Sequence, residues 1–289
     1  MNFKANVIFA AAMLLAGCRT AQSVVASETS EGIPSVQAPK FSSADVRPEP
    51  KPIVGTQFSQ LPALPASDFN FDSGGAIEKM RPVVCGPLFY EATYEFTTMT
   101  STMYQHRTRV DREAGSYEYD CVGFVSYALR QAAPQAWATV FKATGLTKGH
   151  IPSPPLYRSF FAGLAAKPQP GWEAVAKVSD LRPGDVVAWE HKTETSSGHA
   201  VLIGSTPLPL ANGLWSVEVY DSTSAPHSDD SRPKDRRAQA QATTGRPSGL
   251  GHGTMLFIAD PANGTLTGVA WGRKSKHITV PIAAGRPTS

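Results

Sequence analysis

An α+β fold with an antiparallel sheet is predicted for the ordered part of this chain, and three observations predict it. A clear helical period stands in "DCVGFVSYALRQAAP", Asp120 to Pro134. The strong strand patterns all come later, beyond Trp172. Turn sequences, not long helical crossovers, separate those strands, so helices come first and antiparallel strands follow.

Taken in chain order, the first element is a targeting signal, predicted over residues 1–17. A short start with one Lys precedes the apolar run "ANVIFAAAMLLA", and "LAGC" follows at Leu15 to Cys18. The run is shorter than the about 20 residues that a membrane-spanning helix needs, so it reads as a cleaved signal peptide. The "LAGC" ending resembles the lipobox of bacterial lipoproteins. That resemblance implies lipidation of Cys18 and anchorage to a membrane, stable when two or more acyl chains are attached. By the same resemblance, Arg19 in place of Asp implies the outer membrane, facing the periplasm, for a Gram-negative source.

Residues 18–75 are rich in Ser, Ala, Pro and Gln, with prolines at 34, 39, 48, 50, 52, 62 and 65. Such a segment buries too little apolar surface to offset its chain entropy, so a disordered tether is predicted. The remaining domain is assigned to 76–289, with order starting near Arg81 in "RPVVCGPLFYEATYEFTTMTSTMYQ", dense in β-branched and aromatic residues. A helix follows from Cys121, with apolar side chains at 121, 122, 124, 125, 128 and 129, Asp120 as its N-cap and Pro134 as its stop. A weaker helix is expected over 156–165. Strands are predicted in "LRPGDVVAWE", "HAVLIGS", "WSVEVYDS", "TMLFIAD" and "TGVAW", the last two flanking the turn "PANG". Residues 224–252, polar and mixed in charge, read as a long loop, either a lid or disordered.

The formal net charge of +3 is small, and no stretch interleaves basic and aromatic residues as a nucleic-acid surface does. No nucleic-acid partner is expected. With Cys18 lipidated, two of the three cysteines remain, Cys85 and Cys121. A disulfide between them is conceivable in an oxidising envelope, but two thiols make neither a disulfide framework nor a four-cysteine zinc site. The histidines at 191, 199, 227 and 252 lack the spacing of a helical zinc motif, so no metal and no cofactor is expected.

Three residues suit nucleophilic catalysis. Cys121 falls in the first turn of its helix, where unpaired backbone N–H groups and the helix dipole favour thiolate. His199 follows "ETSSG" and opens the strand "HAVLIGS", which places an imidazole at a strand end beside a loop. If that strand pairs antiparallel with "WSVEVYDS" about residue 210, Asp221 comes opposite His199, with a slip of a few residues allowed. The carboxylate would then hold Nδ1–H and leave Nε2 for the thiol.

"DCVGFV", "LRPGDVVAW" and "GHAVLI", in that order, resemble the three signature blocks of NlpC-type papain-like cysteine peptidases and related amidohydrolases, from about Tyr104 to Asp221. The resemblance implies a papain-like core, a Cys-bearing helix packed on an antiparallel sheet. It also implies Cys121 as nucleophile, His199 as base and Asp221 as the third polar residue. The oxyanion would be held by the Cys121 N–H and an upstream side chain, Tyr104 first, with Gln105 and Tyr119 behind it. Val122 stands where the family has Ser, and the interval from His199 to Asp221 is closer to the amidohydrolase branch.

The expectation is an envelope hydrolase of an amide bond in cell-wall peptides. Two alternatives are weighed against it: a non-catalytic binding or scaffold module of the same fold, and an acyltransferase or lipid amidase, which an apolar groove beside Cys121 would favour.

Overall fold

The computed structural model describes residues 84–193, 196–240 and 245–288. The signal peptide, Cys18 and the tether lie outside the described residues. Among those described, no helix is long and apolar enough to cross a membrane.

The chain is mixed α+β, with a large antiparallel sheet and a few helices. It opens on α1 (Pro87–Thr98), which begins with proline, a residue that suits a helix start because it lacks an N–H. This stretch is helical despite its threonines, whose hydroxyls are satisfied within the helix. The hydroxyls of Thr93, Thr97 and Thr98 each donate to the carbonyl four residues back, at 2.7–2.8 Å, a bond that β-branched Thr makes within a helix. Three short strands follow, β1 (Ser101–Met103), β2 (Arg109–Asp111) and β3 (Ser116–Glu118), in a small sheet ordered β1-β3-β2.

Helix α2 (Cys121–Ala132) starts where the sequence places it, and the Asp120 carboxylate accepts from the Gly123 N–H at 2.8 Å. Pro134 ends this helix, as expected, but it also begins another, α3 (Pro134–Ala143), which the sequence reading lacks. One residue, Ala133, leaves helical geometry (φ −144°, ψ 63°), and the fixed φ of proline restarts the helix at once. Helix α4 (Pro154–Gly163) lies two residues earlier than expected, because Pro154 and Pro155 form its first turn.

The strands are β4 (Trp172–Val175), β5 (Val186–Glu190), β6 (Gly198–Ile203), β7 (Leu208–Pro209), β8 (Leu214–Thr223), β9 (Gly249–Ala259), β10 (Leu266–Ala270), β11 (Ile278–Thr279) and β12 (Ile282–Pro287). Among the described residues they form one nine-stranded antiparallel sheet, in the order β11-β10-β9-β8-β6-β5-β12-β4, with β7 paired to β8. All five predicted strands are present. The "GLGHG" stretch is the start of β9 and not the end of a loop.

Strand alternation divides the interior in two. Val186 and Ala188 of β5 with Ala200 and Leu202 of β6 pack with α2, α1 and α4 residues such as Phe124, Leu88 and Tyr157. Val187, Trp189, Val201 and Ile203, one step out of phase, pack with Val217, Val219, Met255 and Phe257 in a second cluster. Each face of the sheet is therefore apolar, and its register is fixed on both sides.

One backbone contact sets the edge of the functional region. Gly198 adopts φ +144°, and a Cβ there would stand 2.0 Å from the Trp189 carbonyl oxygen. Gly198→Ala is expected to lower the unfolding free energy by about 3 kcal/mol, read from urea denaturation of the full chain. An unchanged midpoint would contradict this account of the β5–β6 junction.

Candidate active site

The site is assembled from the N-terminus of α2, the start of β6 and the end of β8. Cys121 is the first residue of α2; it is buried and carries a free thiol, so the conceivable Cys85–Cys121 disulfide is not formed. His199 is the second residue of β6, and Asp221 lies on the antiparallel neighbour. The pairing is Leu202 with Tyr220 and Ile203 with Val219, a register two residues away from the one that sets 199 against 221. A two-residue slip keeps every side chain on its own face, so the pair meets diagonally.

The imidazole is used in the opposite sense to that expected. His199 Nε2 donates to Asp221 Oδ2 at 2.6 Å, so Nδ1 is left for the thiol. Burial works to strip the His199 proton, but negative charge at Cys121, the bond to Asp221 and the bond to Cys121 outweigh it. The result is a pKa raised from 6.5 to about 10. A hydroxyl fixes the approach of the two elements: Ser222, next to Asp221, donates to the Tyr119 carbonyl at 2.5 Å, two residues before Cys121.

Asp221 carries more than the expected partner. His227 Nε2 donates to the same Oδ2 at 3.0 Å, and its Nδ1 faces the Trp271 carbonyl at 3.1 Å. The Arg232 guanidinium bonds both Asp221 Oδ1 and, at 2.6 Å, the Asp221 carbonyl. Arg232 is fully buried and also reaches Asp230 Oδ2 at 2.6 Å and the Gly249 carbonyl at 2.7 Å. Burial alone would raise the Asp221 pKa, yet His227 and Arg232 hold it well below the ordinary carboxylate range.

These partners come from the segment read as a lid or as disorder. Among the described residues of this segment, 227–232 turn inward and place the side chains of His227, Asp230 and Arg232 inside. No apolar period marks "HSDDSRP", and a charged, turn-rich sequence ordinarily stays in water. One glycine explains how the segment fits. A Cβ on Gly251 would lie 2.7–2.8 Å from Arg232 side-chain atoms, so β9 lets the guanidinium pass by carrying none.

Tyr104 lines the groove with His199 and lies within reach of the charge at Cys121. Burial, followed by the charges of Cys121, Asp120 and Asp221, pushes its pKa up, so the phenol keeps its proton as a donor. Gln105 is not brought to the site: its side-chain amide bonds Glu118. Tyr119 is also committed elsewhere, donating to buried Glu95 at 2.6 Å. Tyr104 and His199 share a groove of about 750 Å³ with Trp189, Trp271, Thr223 and Lys276. Trp271 packs against both histidines, with ring centres 4.9 Å from His199 and 4.3 Å from His227.

Set against known proteins, the chain matches no family model, no curated protein and no solved structure.

Two outcomes follow from the buried charges. Arg232→Met leaves Asp221 and Asp230 without their shared cation, and is expected to cost about 3–5 kcal/mol in denaturant unfolding. A loss under about 1 kcal/mol would show the guanidinium to be dispensable. The second concerns acid. The folded Asp221 pKa is depressed, so its stabilisation is present above the ordinary value of 3.8 and is lost as pH falls toward the folded value. Unfolding free energy should decline below that pH in the native chain and decline less steeply in Asp221→Asn, as measured by denaturation at a series of pH values.

Proposed function

We propose that this chain is a cysteine amide hydrolase of the NlpC-type papain-like class, anchored to the cell envelope through Cys18 and acting on cell-wall peptides. The observation that carries the reading is the Cys121–His199–Asp221 assembly, buried at a helix start and opening on a groove. The order of the three signature blocks supports the family, and the helix-on-sheet arrangement is compatible with it. The rival reading as a scaffold without activity has no use for a buried imidazole held between a thiol and a carboxylate.

Each group has a role in the proposed reaction. Cys121 Sγ, as thiolate, attacks the carbonyl carbon, and the C–O π pair moves to oxygen. The oxyanion is met by the Cys121 N–H and by the Tyr104 hydroxyl, which remains protonated. His199 gives its Nδ1 proton to the amide nitrogen as the C–N bond breaks, which releases the amine and leaves a thioester. The neutral imidazole then takes a proton from water, whose oxygen attacks the thioester carbonyl. Collapse releases the acid and returns the thiolate and the imidazolium. Asp221 holds Nε2–H throughout, which fixes the tautomer and the ring orientation.

The groove has both apolar and polar walls, and the polar ones suit a peptide. Trp189, Val269, Trp271 and Ile278 line it together with Thr223, Ser224, His191 and Lys276. An acyl chain requires a continuous apolar surface, whereas a peptide offers both amide groups and side chains.

Two measurements test the reading. Iodoacetamide should alkylate Cys121 of the native chain at pH 6 about 10-fold or more faster than it alkylates the His199→Ala variant, with the adduct located by mass spectrometry. Equal, slow rates in both would return Cys121 to the status of a core residue. Once a cleaved peptide is in hand, kcat/KM should fall as pH rises through about 10, the value at which His199 loses its proton. Activity undiminished at higher pH would remove His199 as the acid.

A further inference from the structure

A second cleft, of about 810 Å³, runs beside α2 and is lined by Arg107, Arg130 and Lys148 above Tyr127, Trp137 and Phe141. Two histidines, His106 and His150, also line it, and no acidic residue does. His106 lines this cleft and also the groove that contains His199, so the two lie on either side of one residue, next to Asp120, the cap of the nucleophile helix. The His106 ring is held there by the Asp120 carboxylate, 3.2 Å from Nδ1.

Several arginines outside this cleft are neutralised by a partner. Arg112, Arg158, Arg232, Arg237, Arg273 and Arg286 each hold a carboxylate. Among the described residues no carboxylate pairs with Arg107, Arg130 or Lys148. Arg130 is exposed, and its guanidinium lies over the Trp137 ring, 4.4 Å from the ring centre. A guanidinium is suited to two-point binding of a carboxylate, at roughly twice the strength of a neutral hydrogen bond. The aromatic floor below it offers apolar contact to the chain that carries the charge.

Dimensions agree with a short peptide. From Gly123 to Arg130 the cleft follows seven helical steps, about 10 Å at 1.5 Å per residue. An extended peptide covers that length with about three residues. A segment starting at Cys121 and running along α2 would thus meet Arg107 first and Arg130 at the far end.

We propose that this cleft is a substrate subsite that selects an acidic, carboxylate-bearing peptide segment beside the scissile amide. The proposal rests on Cys121 as the reacting atom, and its test separates the two claims. Chloroacetyl-Glu-Glu-amide and chloroacetyl-Gln-Gln-amide deliver the same electrophile with charged or neutral tails. Their rates of alkylation at Cys121 are measured on the full chain at pH 8.5, where an ordinary thiol also reacts. The Glu reagent is expected to be about 10-fold faster, with that ratio falling to about 1 in Arg107→Gln/Arg130→Gln/Lys148→Gln.

A variant that removes equal charge elsewhere, Lys167→Gln/Arg182→Gln/Arg236→Gln, is expected to retain the ratio. A ratio near 1 in the native chain would overturn the subsite, as would a ratio that survives the cleft variant or collapses equally in the distant one. Because the ratio compares two reagents at one thiol, it reads the cleft whether or not Cys121 is activated. A sluggish thiol with a high ratio would sink the hydrolase reading alone, and an activated thiol with equal rates would sink the subsite alone.

Discussion

A desolvated carboxylate organises this molecule. Asp221 has no exposure, and an isolated anion in that position would be protonated or would unfold its surroundings. It persists as an anion because Arg232, His227 and His199 all point at it. Arg232 is itself buried and persists because Asp230 and two carbonyls take three further N–H groups. The chain of dependence then runs outward. Gly251 makes room for Arg232, Arg232 and His227 hold Asp221, Asp221 orients His199, and His199 faces Cys121. A charged segment is drawn inside the protein because the core already contains a charge that requires it.

How much of this was legible in the sequence depends on which physical signal each part leaves. Helix α2 and its cap were legible because apolar period and Asp120 agree. The strands β5, β6, β8, β9 and β10 were legible because alternation and turn residues agree. His199 and Asp221 followed from hairpin arithmetic, and the two-residue slip did not separate them because the side-chain period is two. Helix α3 was hidden because proline is read as a stop, and here it is both a stop and a start. His227, Asp230 and Arg232 were hidden for a deeper reason: single residues in a polar segment have no periodicity, and their burial is decided by a partner elsewhere in the chain. The reversal of the imidazole nitrogens was also invisible, since it depends on the angle at which α2 meets β6.

The groove and the cleft meet at His106 but differ in chemistry. One is lined by tryptophans and hydroxyls, the other by Arg107, Arg130 and Lys148 together with aromatic side chains. The capped start of α2 separates them, so whatever spans the thiol has unlike surroundings on either side. This asymmetry gives a direction to any extended chain laid across Cys121.

The position of β12 has a consequence in time. It lies between β4 and β5, pairing Ala284 with both Val175 and Val187, about a hundred positions earlier in the sequence. Until residues 282–287 arrive, β4 and β5 have no common neighbour and the sheet stays split along that seam. Pairings of such long range are slow to form, because the closure entropy of the intervening chain is spent before any contact is gained. As β6 and its histidine rest on β5, the thiol's partner is held on a half-built scaffold during that interval. The order of strands therefore acts as a delay, and the Cys121–His199–Asp221 cluster gains its full support only when the rest of the domain is present to enclose it.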